Sequence, residues 1–214
     1  MSQILIATRN KDKLREISEK LRTTGDCEFL DLDAAGIAAS PEEDDLEAFD
    51  AFRDNALAKA RYFAGRSGLL TLADDSGICV DALDGAPGVR SKRFCEKSDL
   101  GGSALDRANN ERLLELMKDV PDEMRTAHYA CALAIAAPGG PEATVFGQCH
   151  GLLAQEPRGT EGFGYDPLFF LPRFEATFAE LPATIKAQIS HRARAVEQLR
   201  MLLPRRVDDF GVLL

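Results

Sequence analysis

Two adjacent carboxylates, Asp74 and Asp75, follow an apolar run and precede Ser-Gly in LADDSG at 72–77. Two ionised carboxylates about 4 Å apart repel by roughly 4 kcal/mol at an effective dielectric near 20, so a site that keeps both charged needs a cation. If a strand continues through them, successive side chains point to opposite faces and the conflict disappears. DDSG is also ordinary turn composition, and the three arrangements stay open at this point.

Other segments carry groups suited to an anionic or planar ligand. ATRNKDK at 7–13 joins an expected strand to an expected helix. Lys13 in a first helical turn opposes the helix dipole unless an anion sits there, while Asn10 suits an N-cap. The stretch lacks the glycines and the GK[ST] ending of a P-loop. GTEGFGYDPLF at 159–169 combines glycines with Phe163, Tyr165 and Asp166. Such a loop admits a planar ligand against its backbone, with Phe163 or Tyr165 stacking on a nucleobase, or it forms a tight turn with core aromatics. KAQISHR at 186–192 offers Lys186, His191 and Arg192, the last with a planar fork of donors suited to carbonyl or phosphate oxygens. Glu47, Asp50 and Asp54 fall at helical spacing, which marks either a solvated acidic face or a metal or basic partner.

The totals restrict the function. Twenty-six Lys and Arg against 35 Asp and Glu leave a net charge of -9, which repels a polyphosphate backbone, so no direct nucleic-acid binding is expected. The longest apolar stretch, 130–137, falls far short of the roughly 18 residues a membrane span requires. MSQILIATRN has neither a basic segment nor a long enough apolar run for a secretory signal. The five cysteines are scattered without CxxC spacing, and the three histidines are far apart, so a reduced, cytoplasmic protein without a zinc site is expected.

These residues need elements to position them. Ile4–Ala7 predicts a strand, Leu14, Ile17 and Leu21 a helix that Gly25 would stop, and Cys27–Leu32 a second strand before a loop at 33–45. Phe49, Phe52, Ala56 and Phe63 predict one amphipathic helix over 46–65. Leu69–Ala73 and Ile78–Leu83 predict strands on either side of DDSG, with a turn at 84–88. Further readings are a helix over 103–118, a hairpin of 130–137 and 144–149 across PGGPE, and a last helix capped by Ser190 and carrying Ala193, Val196, Leu199 and Leu203. Strand, helix and strand in succession indicate an α/β protein.

TRNKDK, FRDNALAKA, LADDSG, GAPGVRSKRF, GFGYDPLF and SHR, in this order, resemble the inosine triphosphate pyrophosphatase family, from about Ile4 to Leu203. The resemblance implies a long central mixed sheet with two α/β lobes flanking an active-site cleft, all of 1–214 forming one two-lobed domain; the tail at 205–214 lies outside the resemblance and is assigned no role. It also implies a homodimer and Mg²⁺-dependent hydrolysis of non-canonical purine nucleoside triphosphates (ITP, dITP, XTP) to the monophosphate and pyrophosphate. By motif, Thr8, Arg9, Asn10 and Lys13 correspond to triphosphate ligands, Asp75 to the residue that activates water, and Ser76 to a substrate contact. Glu47 and Asp75 correspond to metal ligands, with Glu43 as the alternative to Glu47; Asp54 stands where relatives commonly carry Glu, and Asp74 would act through water. Phe163, Gly164, Tyr165, Asp166, Lys186, His191 and Arg192 correspond to the nucleobase and substrate pocket.

Overall fold

The computed structural model describes residues 2–22, 27–97 and 99–203. Gly25 and the VDDFGVLL tail lie outside the described residues. Seven strands form one mixed sheet in the order β2-β1-β3-β4-β5-β6-β7. Contacts divide the chain into two units, one of the described residues up to Asp75, Cys131–Gly147 and those from Arg192 onward, the other of Ser76–Ala130 and Gln148–His191.

In the first unit β1 (Ser2–Ile6) runs parallel to β2 (Cys27–Asp31) and to β3 (Leu70–Val80). The second half of β4 (Thr126–Ala136) and the start of β5 (Glu142–Leu153) complete its part of the sheet. Alternate residues serve opposite faces: Ile4, Ile6, Leu70, Leu72, Cys131, Leu133 and Ile135 form one apolar cluster, and Leu5, Ala73, Ala132, Ala134 and Ala136 belong to another. Burial on both faces explains why these strands read as continuous apolar runs. Ile17 and Leu21 of α1 (Lys11–Leu21) join the first cluster with Val196 and Leu199 of α5 (His191–Leu202). Ala56, Ala60 and Ala64, spaced by four on α2 (Phe52–Ser67), join the second.

The helix expected over 46–65 therefore begins six residues late. Pro41–Glu47 forms a 3₁₀ turn that Ser40 and Glu43 close as a capping box. The Asn55 side chain then holds Phe49, accepting from its N–H (2.9 Å) and donating to its carbonyl (3.1 Å). That clasp keeps 48–51 out of the helix, leaves Phe49 exposed, and removes Glu47, Asp50 and Asp54 from any common helix face. The segment read as loop, 33–45, likewise ends in this 3₁₀ turn.

The second correction concerns DDSG, which is no turn. β3 runs unbroken through it for 11 residues, while Asp81–Leu83, expected as strand, forms a 3₁₀ turn. Gly77 marks a close approach of backbone: a Cβ there would lie 2.3 Å from the Gly88 carbonyl and 2.3 Å from Ser91 Oγ. Ser91 Oγ in turn accepts from the Ile78 N–H at 3.0 Å and donates to the Gly88 carbonyl at 2.6 Å.

The rest of the second unit contains α3 (Gly102–Met117), the expected hairpin strands with longer bounds than predicted, and β6 (Phe169–Leu171) and β7 (Ala176–Thr177), paired antiparallel beyond β5. A short helix, α4 (Ala183–Ile189), precedes α5 and was not expected. Its core gathers Ile78, Val80, Leu113, Met117, Tyr129, Phe169 and Phe178.

Candidate active site

Because β3 continues through the acid pair, Asp74 and Asp75 acquire separate surroundings. Asp74, 1% exposed, faces two cations: Lys13 Nζ lies 3.0 Å from its Oδ2 and Arg192 Nε 3.7 Å. Lys13 reaches it from the first turn of α1, whose cap Asn10 accepts from the N–H groups of Asp12 (2.9 Å) and Lys13 (3.0 Å) and itself receives support from Thr8 Oγ1. The anion that the misplaced Lys13 called for is thus supplied by the chain. Burial alone would raise the Asp74 carboxyl; Lys13, Arg192 and Lys59 outweigh it and hold it well below the usual carboxylate range. Arg192 is also paired with Glu16 of α1, and these acids hold its guanidinium pKa up despite complete burial.

Asp75 has the opposite character. Its Oδ2 accepts from Asn55 Nδ2 at 2.9 Å, and its Oδ1 lies 3.7 Å from Lys59 Nζ, which also bonds Glu47 Oε1 at 2.8 Å. Burial pushes the Asp75 carboxyl up, and Lys59, Lys13 and Asn55 only partly reverse the shift while Glu47 adds to it. Burial works against the Lys59 ammonium too, but Glu47, Asp75 and Asp74 overcome it and raise its pKa. Neighbouring carboxyls moved in opposite directions are the pattern of a site with one fixed charge and one group able to exchange a proton.

The remaining candidates of this unit are placed more simply. Arg9 is engaged with Glu43 through two bonds (2.8 and 3.0 Å) and with the Ile37 carbonyl, so Glu43 is already matched to a fixed cation. Asp54 is exposed in the first turn of α2.

In the second unit Asp166 is the hub. Its Oδ2 accepts from Lys186 Nζ and, at 2.9 Å, from the Phe163 N–H; Tyr129 donates to its Oδ1 at 3.4 Å. Gly162 lets that carboxylate approach, since a Cβ there would lie 2.0 Å from Asp166 Oδ2. Lys186 Nζ also stands 4.7 Å from the centre of the Phe163 ring, a cation–π contact, and His191 stacks on Tyr129 at 4.5 Å with the rings 6° from parallel. Tyr165 differs from Phe163: it is buried in the core and its hydroxyl donates to the Ser91 carbonyl at 2.7 Å. Phe163, by contrast, is only half-buried. Ser76, on β3 beside Asp75, is half-buried.

A model of the Ham1 family matches residues 4–202. The chain belongs to the Ham1 family. It is 46% identical over 201 residues to a dITP/XTP pyrophosphatase of Geobacter sulfurreducens, covering 94% of this chain and 96% of that one. Among solved structures, a HAM1 protein from Coxiella burnetii superposes with a TM-score of 0.81 at 35% identity, over 94% of this chain and 98% of that one. A nucleoside-triphosphatase / dITP/XTP pyrophosphatase from Mycobacterium abscessus does so with a TM-score of 0.70 at 40% identity, over 92% and 98%. The resemblance read from six short motifs is borne out over nearly the whole chain.

Within this Ham1 family member, three residues in contact with the candidates escaped the reading of the sequence: Lys59, Asn55 and Glu16. Asn55 and Lys59 lie in the quoted FRDNALAKA, where Asn among helix formers is the only local signal, and Lys59 reads as an ordinary solvated lysine. Among the described residues no three His, Cys, Asp or Glu side chains form a closed metal cage. Mg²⁺ does not require one, since it usually takes one or two carboxylates and completes its octahedron with water and phosphate oxygens. Glu47 and Asp75 fit that role, because both direct oxygens at a single cationic atom, Lys59 Nζ.

Proposed function

We propose that this protein hydrolyses the non-canonical purine nucleoside triphosphates ITP, dITP and XTP to the monophosphate and pyrophosphate, clearing them from the nucleotide pool. The observation that carries the reading is the divergence of Asp74 and Asp75 on one strand, the first turned to Lys13 and Arg192 and the second to Asn55 and Lys59. It agrees with the pyrophosphatase names of close relatives.

Glu47 and Asp75 would hold Mg²⁺, which when bound supplies positive charge against the phosphate oxygens. Asp75 would accept a hydrogen bond from the attacking water and take up its proton. Asp74 stays ionised and orients Lys13 and Arg192, and Lys13 with the α1 N-terminus stabilises charge on the departing pyrophosphate. Thr8 and Asn10 fix that N-terminus, and Arg9 and Ser76 are read as further substrate contacts. Phe163 stacks on the base, Arg192 is read as the buried donor for a 6-oxo group, and Lys186 is read as part of the same pocket. Adenine presents a donor there and forms no such bond. His191, packed on Tyr129, completes this pocket.

A homodimer is part of the same reading, testable by light scattering, as is a cytoplasmic setting, which five cysteines without a disulfide favour. No helix among the described residues is long and apolar enough to cross a membrane.

The test of the function is ³¹P NMR of the protein with Mg²⁺ and ITP, beside parallel samples of ATP, GTP and dTTP. Pyrophosphate and IMP formed selectively from ITP are expected. Orthophosphate and IDP would place the attack at another phosphorus, and cleavage of dTTP in preference to ITP would replace the substrate class.

A further inference from the structure

α3 meets the loop at 162–166 through two side chains one turn apart. Asp106 Oδ2 accepts from the Gly164 N–H at 2.8 Å, and Asn110 Nδ2 donates to the Gly164 carbonyl at 3.0 Å. One acidic and one amide side chain at i and i+4 thus match both polar groups of a single residue, as a neighbouring strand would. Gly164 sits at φ +63° in a loop with no ladder of its own, so these two side chains take the place of one. Space is not the constraint there: a Cβ at Gly164 would meet nothing within 4 Å. Asn110 is 7% exposed, buried for a side chain of its polarity, and its Oδ1 has no hydrogen-bond partner among the described residues. Retaining a buried amide with half its capacity unused is costly unless the other half fixes something.

What it fixes lies on both sides of Gly164. The preceding residue is Phe163, whose N–H is bonded to Asp166 and whose ring is stacked beneath Lys186 Nζ. The following residue, Tyr165, is anchored in the core through Ser91. Gly164 joins Phe163 to the anchored Tyr165.

We propose that Asp106 and Asn110 are positioning residues for base selectivity: by clamping the Gly164 peptide they hold the Phe163 ring and the Asp166–Lys186 pair in the arrangement that distinguishes 6-oxo purines. The proposal rests on the nucleobase reading of this loop given above. Its consequence is specific, because a loosened loop loses the favoured substrate's extra contacts and leaves poor substrates, which never made them, unaffected.

The experiment compares Asp106→Ala, Asn110→Ala and the conservative Asp106→Asn, which can still offer an oxygen to the Gly164 N–H, with the unaltered full chain. KM and kcat are measured for ITP and ATP with Mg²⁺, amide hydrogen exchange is followed at Gly164, and thermal melting is recorded for each protein. For the two Ala variants KM for ITP should rise about tenfold with kcat changed less than about twofold, and the ITP to ATP preference should fall by a similar factor. Gly164 exchange should accelerate in both and return toward the parent rate in Asp106→Asn. Equal losses on ITP and ATP that follow the melting temperature would reduce the pair to a structural role and overturn the proposal. So would rapid exchange at Gly164 in the unaltered protein. A parent without preference for ITP would sink the functional reading instead, while protection of Gly164 by Asp106 and Asn110 would still be read from exchange.

Discussion

Replacing Asp75 by Asn leaves an oxygen for the amide of Asn55 while removing the proton acceptor. Turnover of ITP by Asp75→Asn should fall by at least about a thousandfold with melting little changed, a size typical of losing a positioned base. Near-parental rates would remove Asp75 from the chemistry. Lys59 offers a test of the metal that does not depend on turnover. It neutralises Glu47 and Asp75 together, so Lys59→Met should cost about 2 kcal/mol, because it leaves the buried Asp75 and the partly buried Glu47 without their shared cation. The lowering of the melting temperature should be larger in EDTA than in excess MgCl₂, because a divalent ion on the same two carboxylates replaces the missing charge. An identical shift in both buffers would mean that Glu47 and Asp75 do not bind the ion.

At the scale of elements, the start of α2 depends on one side chain. Asn55 makes three bonds at once, two to the Phe49 backbone and one to Asp75, so it ties the 48–51 segment to β3. Asn55→Ala should lower stability by about 3 kcal/mol in urea denaturation, near 1 kcal/mol for each bond, and should raise the Mg²⁺ concentration needed for half-maximal rate. A variant with unchanged urea midpoint would contradict the clasp. β3 depends on Gly77 in a comparable way. The atom facing a new Cβ is the Gly88 carbonyl at 2.3 Å, part of the backbone and unable to rotate aside. Gly77→Ala should therefore destabilise by more than about 4 kcal/mol, visible as a loss of folded protein by circular dichroism. These two elements also show where local patterns mislead. Phe49 continues the helical spacing of Phe52, Ala56 and Phe63, yet a side chain six residues away competes for its backbone. Ser-Gly reads as a turn because its other purpose, admitting Gly88 and Ser91 against a strand, involves residues more than ten positions distant.

Over the whole molecule, burial sets how the chain responds to alkali and to thiol reagents. Burial pushes the Cys79 thiol up to about 11 and the Cys131 thiol up to about 12, against 9.0 for each in the unfolded chain. Between those values the native state holds protons that the unfolded state has released, so stability is fully present below pH 9 and declines as pH rises through the native values. Cys131→Ala should flatten that decline in urea midpoints measured from pH 8 to 11; an unchanged slope would assign it to other groups. At neutral pH Cys79 and Cys131 should resist alkylation in the native protein and react once it is unfolded, since the thiolate is the reactive form.

The chemistry of this protein was legible in its sequence wherever a residue's role depends on immediate neighbours. Asn10 caps α1 because the N–H groups it satisfies are two and three residues on, and Ile17, Leu21, Val196 and Leu199 are buried because a period of 3.6 places them on one face. The α/β class followed from the same local periodicities, and the family from six motifs in order. Tertiary structure alone decided which charges meet. A strand or a turn at DDSG differs by the packing of Gly77, and only the strand sends Asp74 toward Lys13 and Arg192 and Asp75 toward Asn55 and Lys59. Those partners come from positions between 16 and 118 residues away in the chain. Spacing along a sequence constrains the angle at which a side chain leaves its own element, whereas the pKa of a buried carboxyl is set by whatever other elements bring within a few ångströms of it.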